Sequence, residues 1–328
     1  MTTLQESIDL SLVVPLFNES ESLVELKVWI DRVLAERAYE VIFVDDGSKD
    51  NSWEIIEQLH AADPERVVGI RFSRNYGKSA GLQKGFEAAR GRIVVTLDAD
   101  LQDSPEEIPG MERLILEEGY DLVSGWKKKR HDPLSKTIPT RLYNAATRWV
   151  SGIALHDFNC GLKAYRLEVV KAIEVQGEMH RYIPILAKDA GFNRIGEQVV
   201  QHQSRKYGTT KFGMERFMNG FLDLMTIGFM SRFSRKPMHF FGALGVLLFS
   251  LSLIGFGLIG GNKLWAMYQG LHARNITELS EFYLALIGMV MGLQFFLTGF
   301  LAEMTSRTDA SRREYQVHTK IGRTNPES

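Results

Sequence analysis

The chain has 328 residues, enough for one large domain or two ordinary ones, and 39 Lys and Arg against 40 Asp and Glu give a formal net charge of −1. That balance argues against nucleic acid as a partner, which would call for a strongly basic face. The single cysteine, Cys160, excludes an internal disulfide and fits a reducing compartment.

Met1 to Asp9 is polar and the first apolar run is only strand length, so no signal peptide is expected. From Leu10 to Gly125, short β-rich runs alternate with helical patterns: LSLVVP then Glu19 to Ala35, EVIFVDD then Ser52 to Ala62, VVGIRF then Lys78 to Ala89, RIVVTLDAD then Pro105 to Glu118, and finally DLVSG. Strand and helix in strict succession predict an α/β, Rossmann-like, mostly parallel sheet with helices on both faces. Ligands of such sheets bind beyond the carboxyl ends of the strands, at a switch in strand order. Four polar loops should meet there: Pro15 to Glu19, Asp45 to Ser48, Ser73 to Lys78, and the acidic run from Asp98.

These loops also have structural work to do. Asn18-Glu19 and Asp50-Asn51-Ser52 suit helix N-caps, and Gly47 suits a turn. The pair Asp45-Asp46 exceeds what a cap requires, so one carboxylate could accept the N3–H of a uracil or a ribose hydroxyl. Gly77-Lys78-Ser79-Ala80-Gly81 could offer backbone N–H groups and an ammonium to phosphate at a helix start. It has neither P-loop nor G-x-G-x-x-G spacing, which removes most support for an NAD-dependent dehydrogenase.

The run Asp98-Ala99-Asp100-Leu101-Gln102-Asp103 is the most informative stretch. Carboxylates so close repel one another unless a cation sits among them, and an extended run would set alternate residues on one side. Mg²⁺ takes one or two protein carboxylates and leaves its other positions to water and phosphate, so the spacing suits a metal–diphosphate site. Ser104-Pro105-Glu106-Glu107 should cap the helix that follows.

After Gly125, the cluster Trp126 to His131 leads into an amphipathic helix at about 136–151, where Leu142, Tyr143 and Trp149 alternate with Lys136, Arg141 and Arg148. A second amphipathic stretch, 211–235, carries Phe212, Phe217, Phe221 and Phe229 at helical spacing. Both suit the headgroup region of a membrane. No Asp, Glu, Lys or Arg occurs from Pro237 to Asn262 or from Phe282 to Ala302, so two transmembrane helices are predicted, at about 237–261 and 281–303. Arg232, Arg235, Lys236, Arg307, Arg312 and Arg313 flank them, against Lys263 and Arg274 in the connection, which puts both termini in the cytoplasm. The expected organisation is a cytoplasmic catalytic domain over 1–210, an interface helix over 211–235, a membrane pair over 236–303 with a short external loop, and a cytoplasmic tail over 304–328.

Four motifs taken together, Pro15-Leu-Phe-Asn-Glu19, Asp45-Asp-Gly-Ser48, Asp98-Ala-Asp100-Leu-Gln102-Asp103 and Asp157-Phe-Asn-Cys-Gly161-Leu-Lys-Ala-Tyr-Arg166, resemble the family 2 glycosyltransferases of GT-A fold. The likeness runs in order from about Leu10 to Phe212. It is greatest to the polyprenyl-phosphate branch, the dolichyl-phosphate mannose synthases and the bacterial undecaprenyl-phosphate glucosyltransferases. The resemblance implies a nucleotide sugar seated on Pro15, Phe17, Asn18, Glu19, Asp45 and Asp46, joined by Lys78 and by the run holding Asp98, Ala99, Asp100 and Gln102. It implies Mg²⁺ or Mn²⁺ on Asp100 and Gln102, with Asp98 completing the set beside the ribose and diphosphate. Asp157 falls at the acceptor side of the donor sugar, and Arg205 and Lys211 on a loop that closes on the diphosphate. The Q-x-x-R-W motif of processive synthases is missing, which counts against a polymerase.

The expected reaction is metal-dependent, inverting transfer of a sugar, with UDP-glucose or a related UDP-hexose as first guess, to undecaprenyl phosphate at the cytoplasmic face of the inner membrane. A phosphate monoester is already anionic near neutrality, its second pKa being about 6, so no strong base is needed. Repulsion between the two anionic substrates must be overcome instead, and Lys127, Arg130 and Arg141 are placed by sequence to meet the acceptor phosphate. The alternatives are a different lipid acceptor, such as diacylglycerol or ceramide, and a non-catalytic nucleotide-sugar-binding membrane protein. Homo-oligomer formation is left open.

Overall fold

The computed structural model describes residues 8–128, 144–149, 151–177, 179–201, 203, 237–271, 274–308 and 317–322. The chain divides into two units, one formed by 1–228 together with 315–328, the other by 229–314.

In the first unit, β1 (Leu10–Leu16), β2 (Tyr39–Asp45), β3 (Val67–Phe72) and β4 (Ile93–Thr96) are buried almost throughout. Strands covered on both faces have no solvent side, so they read as continuous apolar runs. Alternate residues part to opposite faces. Leu12, Val14, Val41 and Phe43 pack with α1 (Leu23–Val33) and α2 (Ser52–Ala62), while Val13, Ile42 and Val44 pack with α3 (Lys78–Ala88). A 3-10 turn at Pro105–Glu107 opens α4 (Ile108–Leu116), and the Ser104 hydroxyl accepts the Glu106 N–H at 3.3 Å, as the expected cap requires. The unit continues through β5 (Leu122–Trp126), β6 (Lys163–Arg166), α5 (Leu167–Ala172), α6 (Ile183–Asp189) and β7 (Ile195–Val199).

With a last strand, β8 (Val317–Ile321), the sheet has the order β7-β5-β6-β4-β1-β2-β3-β8, with β4, β1, β2 and β3 parallel and β6 antiparallel between β4 and β5. β1 therefore has β2 on one side and β4 on the other, and the strand order reverses between β1 and β4. The carboxyl ends of these two strands carry the Pro15 and Asp98 loops, which puts both at the switch point.

Two expectations change. The acidic run is not extended: β4 stops at Thr96, the chain turns at Ala99 and Asp100, and Leu101 takes a φ of 59°. Leu97, Ala99 and Leu101 stay buried through the turn, and the left-handed Leu101 is a point of local backbone strain in it. Nor is the C-terminal stretch only a tail, because β8 (Val317–Ile321) joins the first unit's sheet antiparallel to β3, with Gly69 opposite Ile321 and Arg71 opposite Thr319. Ile321 packs on the core beside Ile56 across Gly69, where a methyl group would lie 2.8 Å from both side chains. Ile321→Asp is expected to destabilise this unit by about 2–3 kcal/mol, measured by denaturant unfolding of the full chain, because it replaces a packed aliphatic group with a charge.

In the second unit, α7 (Pro237–Tyr268) and α8 (Ser280–Thr308) pack antiparallel on each other. Gly245 abuts the backbone of Gly292 and Phe296, Ser252 meets Gly288, and Phe241 meets Gly299, small residues letting the backbones approach. Met238–Tyr268 and Ser280–Thr305, 31 and 26 residues, are long and apolar enough to cross a membrane. Their outer faces expose Leu247, Leu251, Leu258, Leu284 and Ile287. Of the expected interface helices, 144–149 is helical, and 211–235 lies outside the described residues.

Candidate active site

The first two loops are stitched to each other. Asn18, at φ 57°, donates its N–H to Ser48 Oγ at 2.8 Å and accepts the Lys49 N–H on Oδ1 at 2.8 Å. The Glu19 N–H reaches Ser52 Oγ at 3.0 Å, and the Ser20 N–H reaches Asp50 Oδ2 at 3.2 Å. These side chains bridge the two loops; Asp50 Oδ1 also accepts the Ser52 N–H at 3.1 Å at the start of α2, as expected of that run, whereas Ser22 and Asn51, directly before α1 and α2, make no side-chain cap bond. Gly47, at φ 71°, leaves no room for a side chain, since a Cβ would lie 2.7 Å from the Arg74 carbonyl carbon.

The two aspartates that follow β2 diverge. Asp45 is fully buried, accepts the Ser48 N–H at 2.9 Å and pairs with Arg71 Nε at 3.5 Å. Asp46 turns towards the third loop, where Oδ1 accepts the Tyr76 N–H at 2.6 Å and Oδ2 the Gly77 N–H at 2.8 Å. Burial, with a contribution from Asp45, raises the Asp46 pKa against the lowering effect of those N–H groups. Asp46 thus fixes the turn that starts α3 and presents Lys78.

Lys78 donates to Asp98 Oδ1. Burial would raise the Asp98 carboxyl, yet Lys78, with Lys127 and Lys163 further off, holds it below the ordinary carboxylate range. Behind Asp98 stands Gly161, where a Cβ would lie 2.7 Å from the carboxylate carbon, so the glycine is what lets Asp98 sit there. The Gly161 carbonyl accepts from Thr96 Oγ1 at 2.8 Å, tying the Asp157–Gly161 loop to the end of β4. Asp100 Oδ1 accepts the Gln102 N–H at 3.2 Å.

Of the residues expected to hold the nucleotide sugar, Pro15, Phe17 and Glu19 from the first loop, Asp46 from the second, Lys78 from α3, and Asp98, Ala99 and Asp100 from the fourth line one cleft. Asn18, Asp45 and Gln102 stand beside it in the same loops. Asp157 is 2% exposed and its Oδ1 accepts the Asn159 N–H at 3.1 Å. Lys127 pairs at 2.6 Å with the buried Asp103, and this attraction outweighs the burial that would lower its pKa. Arg130, Arg141, Arg205 and Lys211 lie outside the described residues.

Two features had no role in the sequence reading. Lys163, buried in β6, donates to the Cys160 carbonyl, and its pKa is lowered by burial against the opposing pull of Asp157 and Asp98. His180 lies against Ser79, which accepts the His180 N–H at 3.1 Å and bonds Nδ1 at 3.1 Å; burial and the nearby Lys78, Arg181 and Lys163 push this imidazole down to about 3, so it stays neutral. Lys163 stands within the quoted Asp157–Arg166 motif, but only the antiparallel register of β6 on β4 shows that it faces inward. Burial pushes the Cys160 thiol up to about 12. It is expected to resist iodoacetamide at pH 8 in the folded protein and react once unfolded, as mass spectrometry would show.

Carboxylates, a lysine and an aromatic loop therefore converge at the switch point of an α/β sheet. The sequence model of glycosyl transferase family 2 matches residues 11–174, half of the chain. The chain belongs to glycosyl transferase family 2. Among curated relatives of this family 2 enzyme, the dodecaprenyl-phosphate galacturonate synthase of Rhizobium johnstonii is 35% identical over 310 residues, covering 92% of this chain and 89% of that one. The undecaprenyl-phosphate 4-deoxy-4-formamido-L-arabinose transferase of Pseudomonas fluorescens is 35% identical over 322 residues, covering 96% and 90%. Among solved structures, the glucosyl-3-phosphoglycerate synthase of Mycobacterium tuberculosis, in complex with Mn²⁺, UDP-glucose and glycerol 3-phosphate, superposes with a TM-score of 0.50 at 21% identity, covering 68% of this chain and 80% of that one. That likeness shows a shared GT-A-like fold. The protein is a glycosyltransferase whose curated relatives act on polyprenyl phosphates.

Proposed function

We propose that the protein transfers a sugar, with inversion, from a uridine-diphosphate donor to a polyprenyl monophosphate at the cytoplasmic face of a membrane. The observation that carries this reading is the convergence of Asp98, Asp100 and Lys78 on one cleft at the β1/β4 switch point. Two carboxylates opening on such a cleft suit a hard divalent cation, Mg²⁺ or Mn²⁺, that completes its shell with phosphate oxygens. Asp98 and Asp100 would hold it, with Gln102 the third candidate, and once bound it supplies positive charge to the departing diphosphate.

The chain's own residues do the rest. Phe17, 40% exposed on the cleft, offers an apolar face to the base, and Asp46 fixes the turn that aims Lys78 at the diphosphate. Arg205 and Lys211 add charge to the leaving group, and Arg130 and Arg141 offset the repulsion between the two anions. Lys127, paired with the buried Asp103 at 2.6 Å, is the third cation proposed to face the acceptor phosphate. Because the acceptor is already ionised, Asp157 serves to orient it and to steady positive charge at the anomeric carbon. Asp157→Asn is therefore expected to slow transfer to a polyprenyl phosphate by about 10- to 100-fold without abolishing it, whereas a diacylglycerol acceptor would need the base and lose its reaction outright. Initial rates with the two acceptors separate these outcomes.

The two apolar helices would anchor the enzyme, and the basic flanks put both termini on the cytoplasmic side. The return of β8 to the sheet containing β3 supports that reading, since the chain on either side of the helix pair then belongs to one unit. Purified protein given undecaprenyl phosphate, Mg²⁺ or Mn²⁺ and a panel of labelled UDP-sugars, including UDP-glucose and UDP-galacturonate, should make an organic-soluble product from at least one donor. Label staying aqueous for every donor would reject the proposal.

A further inference from the structure

The cleft already contains a cation. Lys78 Nζ lies on Asp98 Oδ1, and the other side of that carboxylate is closed by the Gly161 backbone, so a metal approaching Asp98 meets the ammonium first. The two side chains are 34% and 32% exposed, so the pair sits at the cleft wall and the lysine stem can swing without unpacking the core. Lys78 is also the first residue of α3, at the end of the helix that favours anions. A ligand carrying two phosphates offers this ammonium a new partner in the same cleft, and a divalent ion then finds Asp98 released.

We propose that Lys78 holds the place of the divalent cation in the nucleotide-free enzyme and yields Asp98 to it only when a nucleoside diphosphate takes the ammonium, so that metal binding depends on nucleotide. This rests on the reading of Asp98 and Asp100 as the metal-holding pair. Lys78 then has two opposed effects: it opposes the metal alone and favours the nucleotide. By linkage, the nucleotide must strengthen metal binding by the same factor as the metal strengthens nucleotide binding.

The test uses the full chain in detergent, with Mn²⁺ binding followed by electron paramagnetic resonance and UDP binding by calorimetry. Lys78→Met should bind Mn²⁺ alone roughly tenfold more tightly than wild type, and UDP in excess Mn²⁺ roughly tenfold more weakly. Lys78→Arg, which keeps the charge, should leave Mn²⁺ binding close to wild type and so separates charge from packing. Mn²⁺ binding unchanged or weakened in Lys78→Met overturns the proposal. An Asp100→Asn variant that binds Mn²⁺ with UDP as well as wild type overturns the metal assignment itself, a distinct failure.

Discussion

Asp100→Asn is expected to lower sugar transfer by about 10²- to 10³-fold, the scale seen when one preorganised group facing the developing charge is removed. The substitution keeps the size of the side chain and an acceptor oxygen for the Gln102 N–H, which lies 3.2 Å from Oδ1, so the turn at Ala99-Asp100 should survive. What is lost is negative charge on the cleft wall beside Asp98. The variant should also need more Mg²⁺ or Mn²⁺ to reach half its own maximal rate, since one carboxylate remains to attract the ion. Initial rates over a metal titration measure both effects. A variant keeping more than a tenth of the wild-type rate with an unchanged metal dependence would contradict the assignment.

Asp46→Ala is expected to be the second most damaging change, acting through the backbone. Both Asp46 oxygens accept N–H groups, from Tyr76 and Gly77, and these bonds hold the loop between β3 and α3 against the end of β2. Hydrogen bonds to a charged acceptor contribute about 1.5–3 kcal/mol each, and leaving two donors without it loosens the turn that presents Lys78. The expected outcome is roughly 10²-fold weaker UDP binding with a lower unfolding midpoint. Asp46→Asn, which retains one acceptor oxygen, should lie between wild type and Asp46→Ala in both measurements. Equal UDP affinity in Asp46→Ala and wild type would show that Asp46 does not organise the nucleotide side of the cleft.

The first five strands and first four helices were legible because their apolar periods are clean and the turn residues between them are unambiguous. Even there, the strand read through Asp100 ends at Thr96: Leu97, Ala99 and Leu101 are buried as an extended run would also bury them, so the alternation gives no sign of the turn at Ala99 and Asp100. β6 escaped notice because its four residues, Lys163 to Arg166, begin and end with a cation, and Lys163 is tolerated inside only with the Cys160 carbonyl and nearby Asp98 and Asp157 around it. β8 reads as a polar tail; its partner β3 lies at the far end of the chain in sequence. Asp45 and Asp46 illustrate a different limit. Two adjacent carboxylates marked the place, but only the fold shows that one holds its own turn and Arg71 while the other holds the loop before α3. The residues lining the cleft were nearly all quoted from the motifs, whereas Gly161, Lys163 and the Ser79–His180 contact are visible only once β4 and β6 are paired and α3 is set in place.

The most direct measurement compares two acceptors that differ by one phosphate. Wild-type protein, Mg²⁺ or Mn²⁺ and the donor that gives product should be offered a polyprenyl phosphate and, in parallel, the matching polyprenol. A cleft that works by bringing two anions together over a cation, without a strong base, predicts labelled lipid from the phosphate and none above background from the alcohol. Equal transfer to both would contradict it, because the acceptor's own charge would then have no part in the reaction.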